Sequence, residues 1–109
     1  MIRKTLISKI IPPINQNTKI KILKKQTNLK YKTSKKIVNF VNQLRQYEEF
    51  KNISSLRSSI KFGKIIKKGE INLLNVDTVK KIAGDVFAYN DSSSNIVNKL
   101  VLEKFGGEN

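Results

Sequence analysis

The sequence contains no cysteine and no histidine. Their absence excludes a disulfide framework, a thiolate or imidazole metal site, and a nucleophile activated by histidine. Acidic residues are scarce as well, since 8 Asp plus Glu stand against 22 Lys plus Arg. The carboxylates show neither metal-ligand spacing nor the arrangement of a general acid–base pair, so we expect them to be solvated or to cap helices. Most familiar active sites are therefore excluded.

Glycine is too scattered to form a phosphate-binding loop. The five glycines lie at positions 63, 69, 84, 106 and 107, and the Walker A motif GxxxxGK[ST] does not occur. Apolar runs are far shorter than the roughly 18 residues that a membrane span needs. The chain by itself is therefore expected neither to hydrolyse ATP nor to cross a membrane.

Positive charge is the main feature of the composition. The 109 residues carry a net charge of +14, and residues 1–45 hold twelve basic residues and no acidic one. A hydrophobic content of 39% in a chain of this length can supply one modest core. The charge indicates an anionic partner, or a partner surface in a larger assembly, without identifying it.

Residues 1–13 are predicted to be an extended segment that precedes a helical domain over residues 14–109. The apolar and basic run IRKTLISKII is followed by Pro12 and Pro13. Neither proline offers an N–H, and each disfavours helix in the residue before it. A short edge strand fits this segment best.

The segment NQNTKIKILKKQTN that follows fits two structures. Its apolar residues Ile20, Ile22 and Leu23 match either the alternation of a strand or one face of a helix. Asn17 or Thr18 as an N-cap, with two lysines near the end, favours a helix.

Four further helices are predicted from apolar residues that recur at helical spacing. We expect one from a cap at Ser34 through Phe50, one from Ser54 to a C-cap at Gly69, one capped by Asp77, and one ending at Gly106-Gly107. The stretch from Asn90 to Ser94 is expected to separate the last two. In the helix that opens at Ser54 and Ser55, the residues expected to face inward are Leu56, Ile60, Ile65 and Ile66. The predicted fold class is all-α, a small bundle of four to five helices.

Two residues of the helix that begins at Ser54 attract attention. Gly63 lies in its interior, where glycine costs about 1 kcal/mol relative to alanine unless close packing compensates, so we expect another helix to cross there. Arg57 lies in its first turn, from which a guanidinium can reach an anion held by a neighbouring domain. An ordinary surface arginine fits the same position.

Taken in order, the segments resemble the C-terminal lid domain of AAA+ ATPases, in the MoxR-like branch that includes the gas-vesicle ATPase and the CbbQ/NorQ activators. The run NTKIKIL is similar to the family helix ETEIxIL, and KKIVNFVNQLR to KIVxFVxxLR. SSLRSSIKFGK is similar to the sensor-2 helix S[VLT]RAxIxxAK, and the run IAGDVFAYNDSS corresponds to the closing helices. The resemblance covers roughly residues 8–107.

The resemblance implies a lid that closes over ATP in a cytoplasmic, chaperone-like remodelling ATPase. Arg57 matches the sensor-2 arginine, which in the family reaches the γ-phosphate of ATP. ATP and Mg would be held by a core domain whose Walker motifs this sequence lacks. The partners would be that core and the neighbouring subunits of a ring oligomer, and no residue of this chain would be catalytic.

A small basic helical protein that binds nucleic acid or associates with the ribosome is the alternative. Eleven basic residues precede position 37, and Tyr31 among them could stack on a base. The characteristic sign of this function would be binding that falls steeply with salt.

Overall fold

The computed structural model describes residues 15–106. Over this range the chain forms five α-helices, with a short 3-10 helix between the second and third, and no strand. The predicted all-α bundle is confirmed, whereas the predicted extended segment over residues 1–13 lies outside the described residues. The helices are α1 (Gln16–Thr27), α2 (Tyr31–Leu44), the 3-10 helix Glu48–Phe50, α3 (Ser55–Lys68), α4 (Val76–Phe87) and α5 (Asp91–Phe105).

Short polar side chains cap four of the five α-helices. The side chains of Asn15, Ser54, Asn75 and Asn90 each accept a hydrogen bond from a backbone N–H three residues later. At the start of α5 the bond is reciprocal, because the Ser93 hydroxyl also accepts from the backbone N–H of the cap residue. Such caps satisfy N–H groups that have no partner inside the helix.

The structure resolves the ambiguous segment after Pro13 as a helix, and it corrects two of the predicted caps. Asn15 caps α1 instead of Asn17 or Thr18. Asn75 caps α4 instead of Asp77, which lies exposed in the first turn. In both helices an asparagine two residues before the predicted cap has the extended or near-extended backbone that lets its side chain fold back onto the first turn.

The bounds of α2 also differ from the prediction. The helix begins at Tyr31, so Ser34 is not a cap but a fully buried residue whose N–H bonds to the Lys30 carbonyl. Its hydroxyl has no hydrogen-bond partner among residues 15–106. The helix ends at Leu44 and not at Phe50, because the chain must turn there for the Phe50 ring to reach the core.

The 3-10 helix is attached to the turn between α4 and α5. The ring of Phe50 packs edge-on against Tyr89, with 6.2 Å between the ring centroids. The Tyr89 hydroxyl donates to the Glu49 carbonyl at 3.3 Å, and the Ser92 hydroxyl donates to the Glu49 carboxylate at 3.1 Å. The break between α4 and α5, predicted over Asn90 to Ser94, is shorter in the structure because α5 already begins at Asp91.

Four phenylalanines, one from each of α2 to α5, form the centre of the core. Phe40 lies 5.4 to 5.8 Å from the other three rings, which belong to Phe62, Phe87 and Phe105. Helix α1 packs on α2 and α3, while α5 packs on α2 and α4. The two helix pairs α1–α2 and α4–α5 therefore share one core.

The inward face of α3 is not the predicted row of leucine and isoleucines. Of the four predicted residues only Ile66 is buried, and Ile65 is 38% exposed. The buried stripe consists mainly of small residues: Ser55, Ser59, Phe62, Gly63 and Ile66. The predicted helix crossing at Gly63 is confirmed, because a Cβ there would lie 3.0 Å from side-chain atoms of Leu23 and Thr27 on α1. Small residues face inward because α1 approaches α3 closely, and Ile60 and Ile65 lie on the flank of the helix instead.

Candidate functional site

The start of α3 presents Arg57 to solvent. Its backbone N–H donates to the Ser54 hydroxyl at 3.2 Å, which fixes the residue in the first turn of the helix. The side chain is exposed and lines a shallow depression of about 320 Å³ together with Ser54, Leu56 and Ile60. Within residues 15–106 no carboxylate pairs with the guanidinium, since the ion pair in this part of the chain joins Lys51 to Glu48.

A second cation, Lys19 of α1, contacts the same turn of α3. Its Nζ donates to the Ser55 hydroxyl at 2.9 Å, and that hydroxyl donates to Asn42 Oδ1 of α2 at 3.1 Å. The pKa of Lys19 is lowered, chiefly because burial removes water from the ammonium group and further because Arg45 lies near it. Helix α1 thus brings a positive charge, and α2 an amide oxygen, to the first residue of α3.

These cations meet the positive end of a helix. The N-terminus of a helix carries about half a positive charge, and acidic residues usually occupy its first turn. The first turn of α3 has no acidic residue and holds Arg57 instead. Arg57, Lys19 and the helix terminus therefore add to a positive potential that an external anion would relieve.

The groups at this site, hydroxyls and cations, are of the kinds that bind anions. Serine hydroxyls and cations surround it, but no histidine, cysteine or close carboxylate is available as a general base. Nowhere among residues 15–106 do three or more possible metal ligands cluster.

The sequence pointed to Arg57 correctly as an exposed first-turn residue, but it did not reveal the neighbouring cations. Lys19 lies 36 residues before Ser55 in the chain, and only the packing of α1 on α3 brings them together. Nothing in the local pattern of α1 distinguishes Lys19 from the other lysines of that helix.

Comparisons with protein-family models, curated proteins and solved structures find no match to this chain. In the part of the chain that the structure describes, no helix has both the length and the apolar character needed to span a bilayer.

Proposed function

We propose that this chain is the C-terminal lid domain of a AAA+ remodelling ATPase of the MoxR-like branch, and that it works in the cytoplasm. The observation that carries the proposal is the position of Arg57, exposed in the first turn of α3 and without a carboxylate partner among residues 15–106. The resembling family places its sensor-2 arginine at this point. The core that binds ATP and Mg lies outside these 109 residues, since no Walker motif occurs in them.

In this proposal Arg57 reads whether the terminal phosphate of ATP is present. A guanidinium can make two parallel hydrogen bonds to phosphate oxygens, and it stabilises the charge that develops as the phosphoryl group transfers. Lysine at this position would supply a point charge without the bidentate geometry. Lys19, tied to Ser55, would raise the local positive potential without contacting the nucleotide.

The construction of the bundle supports a lid that moves as one body. Helix α3 carries Arg57 near one end and places Phe62 in the four-ring cluster near its middle. Losing the phosphate contact would therefore shift the whole bundle relative to the core. Rotation of a packed domain about an interface is a common way to pass a nucleotide state to a neighbouring subunit in a ring.

The first experiment locates the ATPase core. The gene is read in frame upstream of the Met1 codon and in the adjacent reading frames, for GxxxxGK[ST] followed by a Walker B motif. A core in the same frame, or in a neighbouring gene whose product co-purifies with this chain, supports the lid proposal. A stop codon just upstream, with no ATPase binding the purified chain, contradicts it.

The second experiment measures ATP turnover in the assembled ATPase. Arg57→Ala should lower kcat by about tenfold or more, because an electrostatic contact to the transferring phosphate is lost. Lys61→Ala is the matched control, since it removes an exposed positive charge one turn further along α3 and should leave turnover unchanged. Thermal unfolding should be the same for both variants. Full turnover in Arg57→Ala would remove the sensor role.

A further inference from the structure

Two adjoining grooves lie around the turn between α1 and α2, near the end of α3 remote from Arg57. The larger, of about 780 Å³, lies between this turn, the end of α3 and the segment that leads to α4. The smaller, of about 510 Å³, lies between the turn and the side of α1. They share Asn28, Leu29 and Lys30, so they form one continuous concave surface.

Lysine is the most frequent residue in the combined lining of these grooves, and the larger groove also has apolar lining residues such as Leu29 and Ile71. We call the lysines that line them the lysine surface: Lys21, Lys24, Lys25, Lys30, Lys32, Lys36 and Lys67. Glu70 is the one acidic residue in the lining. The lysine surface therefore carries strong self-repulsion that a bound polyanion would relieve.

The turn between α1 and α2 creates this concentration of charge. Asn28 adopts the left-handed conformation, with φ of 65°, and its N–H bonds to the Lys24 carbonyl. Helix α1 therefore ends shortly after Lys24 and Lys25, and α2 begins close by, with Lys30 as its N-cap residue. Lysines near the end of α1 interact favourably with the helix dipole, whereas lysines at the start of α2 interact unfavourably with it. Helix stability alone therefore does not account for the lysines of α2.

We propose that the lysine surface binds the sugar–phosphate backbone of a nucleic acid, a property that goes beyond the lid function. Lysine ammonium groups neutralise the phosphates that repeat along a strand, and they supply affinity without reading the bases. The charges line concave grooves, which a strand can enter and a flat bilayer surface cannot. Tyr31, which lies between Lys30 and Lys32 in the sequence, lines neither groove but is 51% exposed, so its ring is available for stacking on a base.

The lysine surface is separate from the Arg57 site. Ten residues along α3 separate Arg57 from Lys67, which corresponds to about 15 Å of helix. A strand bound at the lysine surface therefore leaves Arg57 free to face a nucleotide. The two proposals can fail independently. The lid proposal predicts an effect of Arg57 on ATP turnover, whereas the lysine-surface proposal predicts that the chain itself binds nucleic acid.

The test uses fluorescence anisotropy with a labelled single strand and a labelled duplex of about 20 nucleotides or base pairs each. The logarithm of the affinity should fall linearly with the logarithm of salt concentration, by roughly 0.7 to 0.9 for each phosphate engaged. The variant Lys30→Gln, Lys32→Gln, Lys36→Gln, Lys67→Gln should bind about tenfold or more weakly at low salt, with a shallower slope.

The matched control changes four lysines of α4 and α5 that line neither groove. Lys80→Gln, Lys81→Gln, Lys99→Gln, Lys104→Gln lowers the net charge by the same amount and should keep the affinity within about threefold of the original. Circular dichroism should show equal helix content in both variants, which separates loss of binding from loss of fold.

Three outcomes would overturn the proposal. Equal loss of affinity in the lysine-surface variant and in the control variant would show that binding depends on net charge and not on the lysine surface. Equal or tighter binding of polyglutamate of similar length would assign the surface to an acidic polypeptide, and preferential binding to vesicles of phosphatidylcholine with phosphatidylglycerol would assign it to a membrane. Arg57→Ala should bind nucleic acid like the unmodified chain, whatever its effect on ATP turnover.

Discussion

The helix pairs α1–α2 and α4–α5 pack on the same core but differ in their charge. Residues 16–44 hold eight lysines and no acidic residue, whereas residues 76–105 hold four lysines and four acidic residues. Both pairs bury apolar faces and contribute to one hydrophobic cluster. A uniform bias toward lysine would have enriched both pairs alike. The excess charge of α1–α2 is therefore not a general property of the bundle, which agrees with the proposal that the lysine surface binds a polyanion.

The surroundings of the glycines also differ between the α1–α3 contact and α4. Gly63 of α3 lies under side chains of α1, while a Cβ at Gly84 of α4 would meet nothing within 4 Å. The α1–α2 pair is thus fixed to α3 by a tight crossing, and the outer side of α4 tolerates added volume.

The largest effect is expected from Phe40→Ala. The Phe40 ring is fully buried on α2 and contacts rings of α3, α4 and α5, so its removal leaves a cavity between the helix pairs. The free energy of unfolding should fall by about 3 to 5 kcal/mol, measured by urea denaturation. Leu74→Ala, at a residue 69% exposed, is the control and should change it by less than about 0.5 kcal/mol. A loss below about 1 kcal/mol at Phe40 would show that the pairs do not share this core.

An effect of opposite sign in the two regions is expected from replacing glycine. Gly84→Ala should stabilise the protein by roughly 0.5 to 1 kcal/mol, because alanine favours the helix and open space receives its methyl group. Gly63→Ala gains the same helix propensity, but its methyl group would press on buried Leu23 and Thr27. We expect a net loss of about 1 kcal/mol in urea denaturation. Stabilisation by both changes would mean that the α1–α3 crossing is loose.

The smallest effect is a pH dependence that arises at Lys19. Because burial and Arg45 lower the pKa of Lys19 in the folded chain, the unfolded chain binds the proton more tightly. The free energy of unfolding should therefore rise slightly as pH increases toward 10.5, the ordinary pKa of the group. Lys19→Gln should lose this rise, whereas Lys21→Gln, an exposed residue of the same helix, should keep it. The measurement is urea denaturation at a series of alkaline pH values.

The fold was predictable where a strong local signal determines it. The Ser54 cap, the Gly69 end of α3 and the end of α5 at Gly106 follow from residues that are neighbours in the chain. The errors occur where tertiary packing overrides the pattern. Ser34 lies inside α2 because the helix already begins at Tyr31 and turns Ser34 toward the core, and Ile60 is only half-buried because α1 occupies the small-residue face of α3.

The candidate sites were only partly predictable for the same reason. A first-turn arginine after a serine cap is visible in the sequence, so Arg57 could be singled out. The contact of Lys19 with Ser55, and the meeting of Lys67 with Lys30 around one groove, depend on helices that approach from distant parts of the chain. Sequence shows how much charge a segment carries, and packing decides which charges become neighbours.

The attachment of the 3-10 helix to the α4–α5 turn has a consequence for local opening. A connection between helices usually exchanges its amide hydrogens through small local fluctuations, well before the whole domain unfolds. Here Phe50 is buried, and Glu49 accepts hydrogen bonds from Tyr89 and Ser92, so opening of this connection also breaks contacts with the start of α5. Its amide hydrogens are therefore expected to exchange more slowly than those of an unattached connection. The backbone N–H of Arg57 is held by the Ser54 hydroxyl, whereas its exposed side chain can reorient without any such opening.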